Sequence, residues 1–131
     1  MLTPMMVLLR EAQAHNFAIV VGPGGPHACQ CDMKDRVVYL GRDLDEVTQG
    51  IVGLHELGHK LGQTVDFMLG MVPVMLNQEL RGLVSDQDSM ARMLLYATEL
   101  GAWAWAESKM PPGYEKEFQE CRAYGLISYV P

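Results

Sequence analysis

Basic residues are scarce: ten Lys and Arg stand against sixteen Asp and Glu, a formal charge of −6. That is the wrong sign for holding a phosphate backbone by counterion release, so no direct nucleic-acid partner is expected. Long uncharged apolar runs are also missing. The apolar stretch 67–76 is about half the length of a membrane span and is broken by Gly70 and Pro73, so no membrane partner is expected either. Cysteines number only three, an odd count that argues against a disulfide framework, and their spacing matches no zinc ribbon. The first ten residues lack the basic leader and small-residue cleavage site of a secretory signal. Together these absences point to the cytoplasm. No internal repeat, low-complexity tract or linker divides the chain, which reads as a single domain over 1–131. Its 49% apolar composition allows that domain a true core, burying about two-thirds of the surface its unfolded form exposes.

The patterns that are present alternate between the two regular periods. Thr3 and Pro4 read as N-cap and first position of an amphipathic helix through about His15, with Met5, Leu8, Leu9 and Ala12 on its apolar face and Asn16 as its stop. The β-branched run Phe17 to Val21 reads as a strand ending at the Gly- and Pro-rich segment 22–26. His27 to Asp32 and Arg36 to Leu40 read as two further strands joined by a hairpin at Met33-Lys34-Asp35. Asp43 with Glu46 three residues on resembles a capping box, opening a helix that runs to about Leu61. The segment 65–78 reads as a packed loop. A capping pattern at Ser85 to Asp88 opens a second long helix to about Lys109, stopped by Pro111-Pro112-Gly113, and a short helix from Tyr114 to Tyr124 closes at Gly125. The expected fold is α+β: a small N-terminal antiparallel or mixed sheet packed on two long helices.

Inside the first of those long helices lies His55-Glu56-Leu57-Gly58-His59. Helical residues four apart project from one face, so the two imidazoles can reach a single zinc ion while Glu56 is turned beside it. A carboxylate so placed acts as general base toward a water at the metal and hands the proton to a leaving amine. A surface helix carrying the same letters by coincidence would lack the apolar Leu54, Leu57 and Leu61 that surround the motif here.

A catalytic zinc of this kind takes three protein ligands, and four candidates compete for the third place. Glu99 leads: apart from Tyr96 it is the sole ionisable group between Met93 and Ala106, on a helix apolar nearly all round. A carboxylate buried there needs a cation, either the metal or an arginine such as Arg81. Asp66 is one residue past the position that an extended metzincin pattern would use, which is Val65. Cys29 or Cys31 would serve a deformylase-like site, and Glu79 is the fourth. Cys29, Cys31 and Cys121 also raise the question of a second metal. Tyr39, Tyr96 and Tyr114 are candidates for an oxyanion donor, with no basis for choosing among them.

The zinc motif together with Glu99-x-x-Ala102-Trp103-x-Trp105-Ala106 and the following Met110-Pro111 resembles the ImmA/IrrE-type metallopeptidases. Trp103 stands where that family often has asparagine. The resemblance implies a zincin-like fold of the glutamate-ligand type, one Zn²⁺ held by His55, His59 and Glu99, and a protein substrate. The expected function is therefore peptide-bond hydrolysis with Glu56 as general base. A zinc-stabilised binding or regulatory module and a deformylase-like amidase with a cysteine ligand stand as alternatives, and the sequence leaves the oligomeric state open.

Overall fold

A computed structural model describes residues 1–62 and 87–127. Four helices and a three-stranded mixed sheet make up these residues, an α+β arrangement. The segment 65–78 with Asp66, the residues Glu79 and Arg81, and the Ser85 cap fall outside the described part.

Helix α1 spans Pro4–Ala14. It starts where expected because the Thr3 hydroxyl accepts the Met6 N–H at 3.2 Å, satisfying a donor with no intrahelical partner. Its buried face is Pro4, Val7, Leu8 and Ala12. Leu9, expected on that face, is instead half exposed, because it lies one flank away from the row that positions 4, 8 and 12 form. Asn16 then adopts a left-handed φ of 60° and turns the chain into the sheet.

Strands β1 (Ala18–Gly22), β2 (Gln30–Asp32) and β3 (Val37–Gly41) are ordered β1-β3-β2, with β3 parallel to β1 and antiparallel to β2. The expected strand from His27 is cut to its second half, since Pro26–Ala28 forms a 3₁₀ turn closed by the Ala28 N–H on the Gly25 carbonyl. Pro26 has a fixed φ and no N–H to offer a ladder, which favours the turn. The β2–β3 hairpin forms where the polar link predicts it. The Asp32 carboxylate accepts the N–H groups of Lys34 and Asp35, and Arg36 takes a left-handed φ of 57°.

Helix α2 spans Glu46–Leu61 and carries the histidine motif. Its cap is Asp45 rather than Asp43: Asp45 Oδ1 accepts the Thr48 N–H at 2.8 Å. Asp43 is held in the turn before, with its N–H on the Gly24 carbonyl. Helix α3 covers Gln87–Lys109 and α4 Glu115–Leu126. Gly125, expected to end α4, is inside it. Ile51, Leu54 and Leu57 of α2 are fully buried in one core with Leu8 of α1, Val38 and Leu40 of β3, Trp103 of α3 and Phe118 of α4. The motif helix is thus fixed on its apolar side by every other layer. Among the described residues, no helix is long and apolar enough to cross a membrane.

The position of the α2 cap is open to direct test. Asp45→Ala is expected to lower unfolding free energy by about 1 kcal/mol, whereas Asp43→Ala stays within about 0.5 kcal/mol of the parent in urea denaturation. The Thr48 backbone hydrogen bond holds the Asp45 carboxyl below its ordinary 3.8. The cap's pH-linked contribution is therefore complete above that value and fades as the pH falls through the lowered one.

Candidate metal centre

The site is made by the crossing of α2 and α3. Both lines of backbone come close at Gly58, where an added methyl group would sit 2.6 Å from the Ala102 carbonyl oxygen. Only a residue without a side chain fits, and this brings Glu99, one turn before Ala102, level with His55, one turn before Gly58, and His59, directly after it. The Glu99 carboxylate then lies between the imidazoles: Oε2 is 2.7 Å from His55 Nε2, and Oε1 is 3.1 Å from His59 Nε2. One donor atom from each of His55, His59 and Glu99 lies within 4.8 Å of the other two, an arrangement able to hold a metal ion. Among the described residues it is the one group of three or more His, Cys, Asp or Glu side chains with that property.

Burial makes the electrostatics of this cluster stringent. His55 and Glu99 are 7% and 9% exposed, the two buried side chains of this core that carry ionisable groups apart from cysteine. Burial acts to raise the Glu99 pKa, but hydrogen bonds from His55 and His59 outweigh it and hold the carboxyl down at about 2. Burial likewise opposes charge on His55; the neighbouring Glu56 and Glu99 carboxylates overcome it, so the imidazole pKa is raised above its ordinary 6.5. Without a metal, the two carboxylates thus favour the protonated form of His55.

The sequence led us to expect that α3 is buried nearly all round, and it is not. Its buried positions from Glu99 onward are Glu99, Ala102, Trp103 and Ala106, a stripe at spacings of three and four, while Ala104 is exposed. Alanines tolerate exposure at little cost, so a helix rich in them looks more buried in sequence than it is. Trp103, one turn past Glu99, stacks on the His55 ring at a centroid distance of 4.0 Å and an interplanar angle of 13°. Phe118 of α4 meets the same indole edge-on at 5.8 Å. Gly125 permits α4 to close over it, since a methyl group there would lie 2.7 Å from Trp103 Cζ2. Trp103 Nε1 is buried without an acceptor among the described residues, where the ring is held by packing. Sequence reasoning missed this contact; the i, i+4 relation of Glu99 and Trp103 was its available signal.

On the other side of His55, Nδ1 lies 3.3 Å from Glu56 Oε1. Glu56 and Glu99 line a pocket of about 260 Å³ with His27, Val52, Cys121 and Tyr124 among its other walls. Tyr39, Tyr96 and Tyr114 do not line it. Cys29 has its sulfur inside the fold, accepting the Gly41 N–H at 3.3 Å, and burial raises its pKa and those of Cys31 and Cys121. All three are free thiols outside the metal-competent group. Comparison of the chain with protein-family models, with curated proteins and with solved structures finds no match, so its chemistry is read from its own residues.

Two outcomes follow for the metal-free chain. The depressed Glu99 pKa adds stability that is complete above its ordinary 4.5 and is lost as the pH falls toward 2. The raised His55 pKa adds stability that is complete below its ordinary 6.5 and is lost as the pH climbs through the folded value. Urea denaturation in the presence of a chelator should therefore show this pair contributing most between pH 4.5 and 6.5, with the dependence flattened in Glu99→Gln. Separately, Gly58→Ala should push α3 off α2, lowering stability by roughly 1–3 kcal/mol despite the better helix propensity of alanine, and weakening metal binding in chelator competition.

Proposed function

We propose that the chain is a zinc-dependent metallopeptidase of the glutamate-ligand type, with a zincin-like arrangement in which His55, His59 and Glu99 hold the ion. The observation carrying this reading is a His-His-Glu group able to hold a metal ion beside a separate carboxylate, Glu56, which lines one pocket together with His55 and Glu99. The donor set suits zinc, combining two imidazole nitrogens with one carboxylate oxygen. Its donor separations of 2.7 and 3.1 Å are a few tenths of an ångström short of the roughly 3.3 Å expected between ligands of a tetrahedral site. Small side-chain shifts bridge that difference. The ImmA/IrrE-type resemblance of the two helices' motifs agrees with the same assignment.

The chemistry that zinc supplies when bound is Lewis acidity, toward a peptide carbonyl and toward water. The chain's own groups manage the protons and the orientation. Glu56 accepts a proton from the water that attacks the carbonyl carbon, then delivers it to the amide nitrogen as the carbon–nitrogen bond breaks, leaving a carboxylate and an amine. With Nε2 as the ligating nitrogen, the proton of His55 is on Nδ1, facing Glu56 at 3.3 Å. That contact keeps the base next to the metal. The Trp103 ring fixes the imidazole plane from its flat side, so neither ring rotation nor tilt is free. Strand β2 is one of the two edges of the sheet, along which a substrate peptide would pair as an added strand.

The cysteine-ligand alternative draws no support from the geometry, because Cys29 is engaged with Gly41 and Cys31 lies outside the metal-competent group. Glu56→Gln is expected to retain stoichiometric zinc while peptide cleavage falls by about 10²- to 10⁴-fold, and Glu99→Ala to lose zinc. Metal analysis beside a cleavage assay reads both, and unchanged cleavage by Glu56→Gln would sink the assignment.

A further inference from the structure

The metal-site pocket is one end of a longer groove. Pro26, Val52, Cys121 and Tyr124 line both that pocket and a second cavity of about 250 Å³. Thr48, Glu120 and Cys121 line that cavity and a third one of about 370 Å³. The three together trace a channel between α2 and α4, running from Glu56 back toward the start of α2. Its waist is apolar, formed by Pro26, Val52 and the ring of Tyr124. Its far end is acidic: Asp45, Glu46, Glu117 and Glu120 all border it, and among the described residues no lysine or arginine lines any of the three cavities. None of these four carboxylates forms an ion pair among the described residues. Their field converges on the groove floor, where Asp45, Glu120 and Glu117 each push the Cys121 thiol upward, adding to the larger effect of its burial.

We propose that this groove binds the substrate segment flanking the cleaved bond, selecting an apolar side chain close to that bond and a basic one farther away. The inference rests on the metallopeptidase reading of the same site and adds a substrate class to it. Lengths along α2 set the spacing. Val52 is four residues from Glu56, about 6 Å of helix, and Thr48 is eight, about 12 Å. An extended chain advances roughly 3.3 Å per residue. The apolar residue therefore falls about two positions from the scissile bond, over Val52, and the basic one about four, beside Glu120 and Glu117. The occupant is identified by complementarity: an anionic or uniformly apolar segment would face four carboxylates that have no ion-pair partner among the described residues, whereas lysine or arginine stems cover the apolar waist and carry their charge to the rim.

Binding can be measured apart from cleavage by using zinc-loaded Glu56→Gln chain and fluorescein-labelled decapeptides in fluorescence anisotropy. One peptide series carries leucine at the centre with Lys-Arg two and three residues away, on either side; the control series replaces Lys-Arg by Glu-Glu. The basic series should bind roughly five- to tenfold more tightly at low salt, with the gap shrinking as salt is added. The double variant Glu117→Lys/Glu120→Lys should reverse the preference while keeping zinc. Equal binding of the two series, no binding of either, or a preference that survives the double variant would each overturn the groove assignment. Cleavage by the parent chain tests the metallopeptidase reading on its own: a chain that binds the basic series but cuts nothing keeps the groove and loses the activity.

Discussion

The approach of the Glu99 carboxylate to two imidazoles on another helix constrains nearly everything around it. A carboxylate 9% exposed at a helix crossing needs hydrogen-bond donors and positive charge, and both come from α2. For that, α3 must lie against α2 at backbone distance, which the absence of a side chain at Gly58 allows. It must also be rotated so that Glu99, Ala102 and Ala106 face inward with Trp103 between them. The small residues of this stripe set the distance between the helices and the large one fills the space that remains. In the metal-free chain, Glu99 and Glu56 favour a proton on His55; a divalent ion would take over the compensation of Glu99. Metal binding and proton release are consequently two sides of one equilibrium, and the affinity must fall as the solution becomes acidic.

Packing around His55 shows how the site is kept in shape. The imidazole has the Trp103 face on one side, the Glu56 carboxylate near Nδ1 and the Glu99 carboxylate at Nε2. Each of these neighbours comes from a different part of the chain, or from a different turn of it, and each is anchored by the core through α2 or α3. Trp103 is further pressed by Phe118 and by the backbone at Gly125, so that α4, which contributes no metal donor, still bears on ligand orientation. A histidine held on three sides keeps its orientation without a metal ion to fix it. The entropy of ordering the ligand is therefore met in folding, and less of it remains to oppose binding.

Much of this was legible in the sequence, and the reasons differ from element to element. The α1 start could be read because its signal is local: a hydroxyl before a proline leaves few other choices. The motif helix and its extent were legible from periodicity, and Glu99 from the oddity of one carboxylate in an apolar stretch. The α2 cap was misplaced by two residues because Asp43 and Asp45 are both chemically able to cap, and the choice falls to the turn that ties the Asp43 N–H to Gly24, a contact nineteen residues distant. The strand expected from His27 was too long because alternation continued through residues that Pro26 had already committed to a turn. Gly125 looked like a helix stop for want of knowing that an indole ring lay against it. The stacking on His55 and the groove between α2 and α4 depend on the relative placement of helices, which no local pattern encodes.

The two sides of α2 explain why one helix can both anchor the fold and present a site. Ile51, Leu54, Leu57 and Gly58 are buried, and point toward the sheet, α1 and α3. Thr48, Val52 and Glu56, spaced four residues apart, border the channel instead. His55 sits on the boundary between these faces, which is where a ligand must be if its ring is to be gripped by the core and its metal reached from the channel. A histidine one position farther round toward Leu54 would be sealed in the interior, and one nearer Val52 would lose Trp103. The four-residue repeat that places His55 and His59 together thus also lays out, along the adjacent stripe of the same helix, the wall along which a substrate would be read.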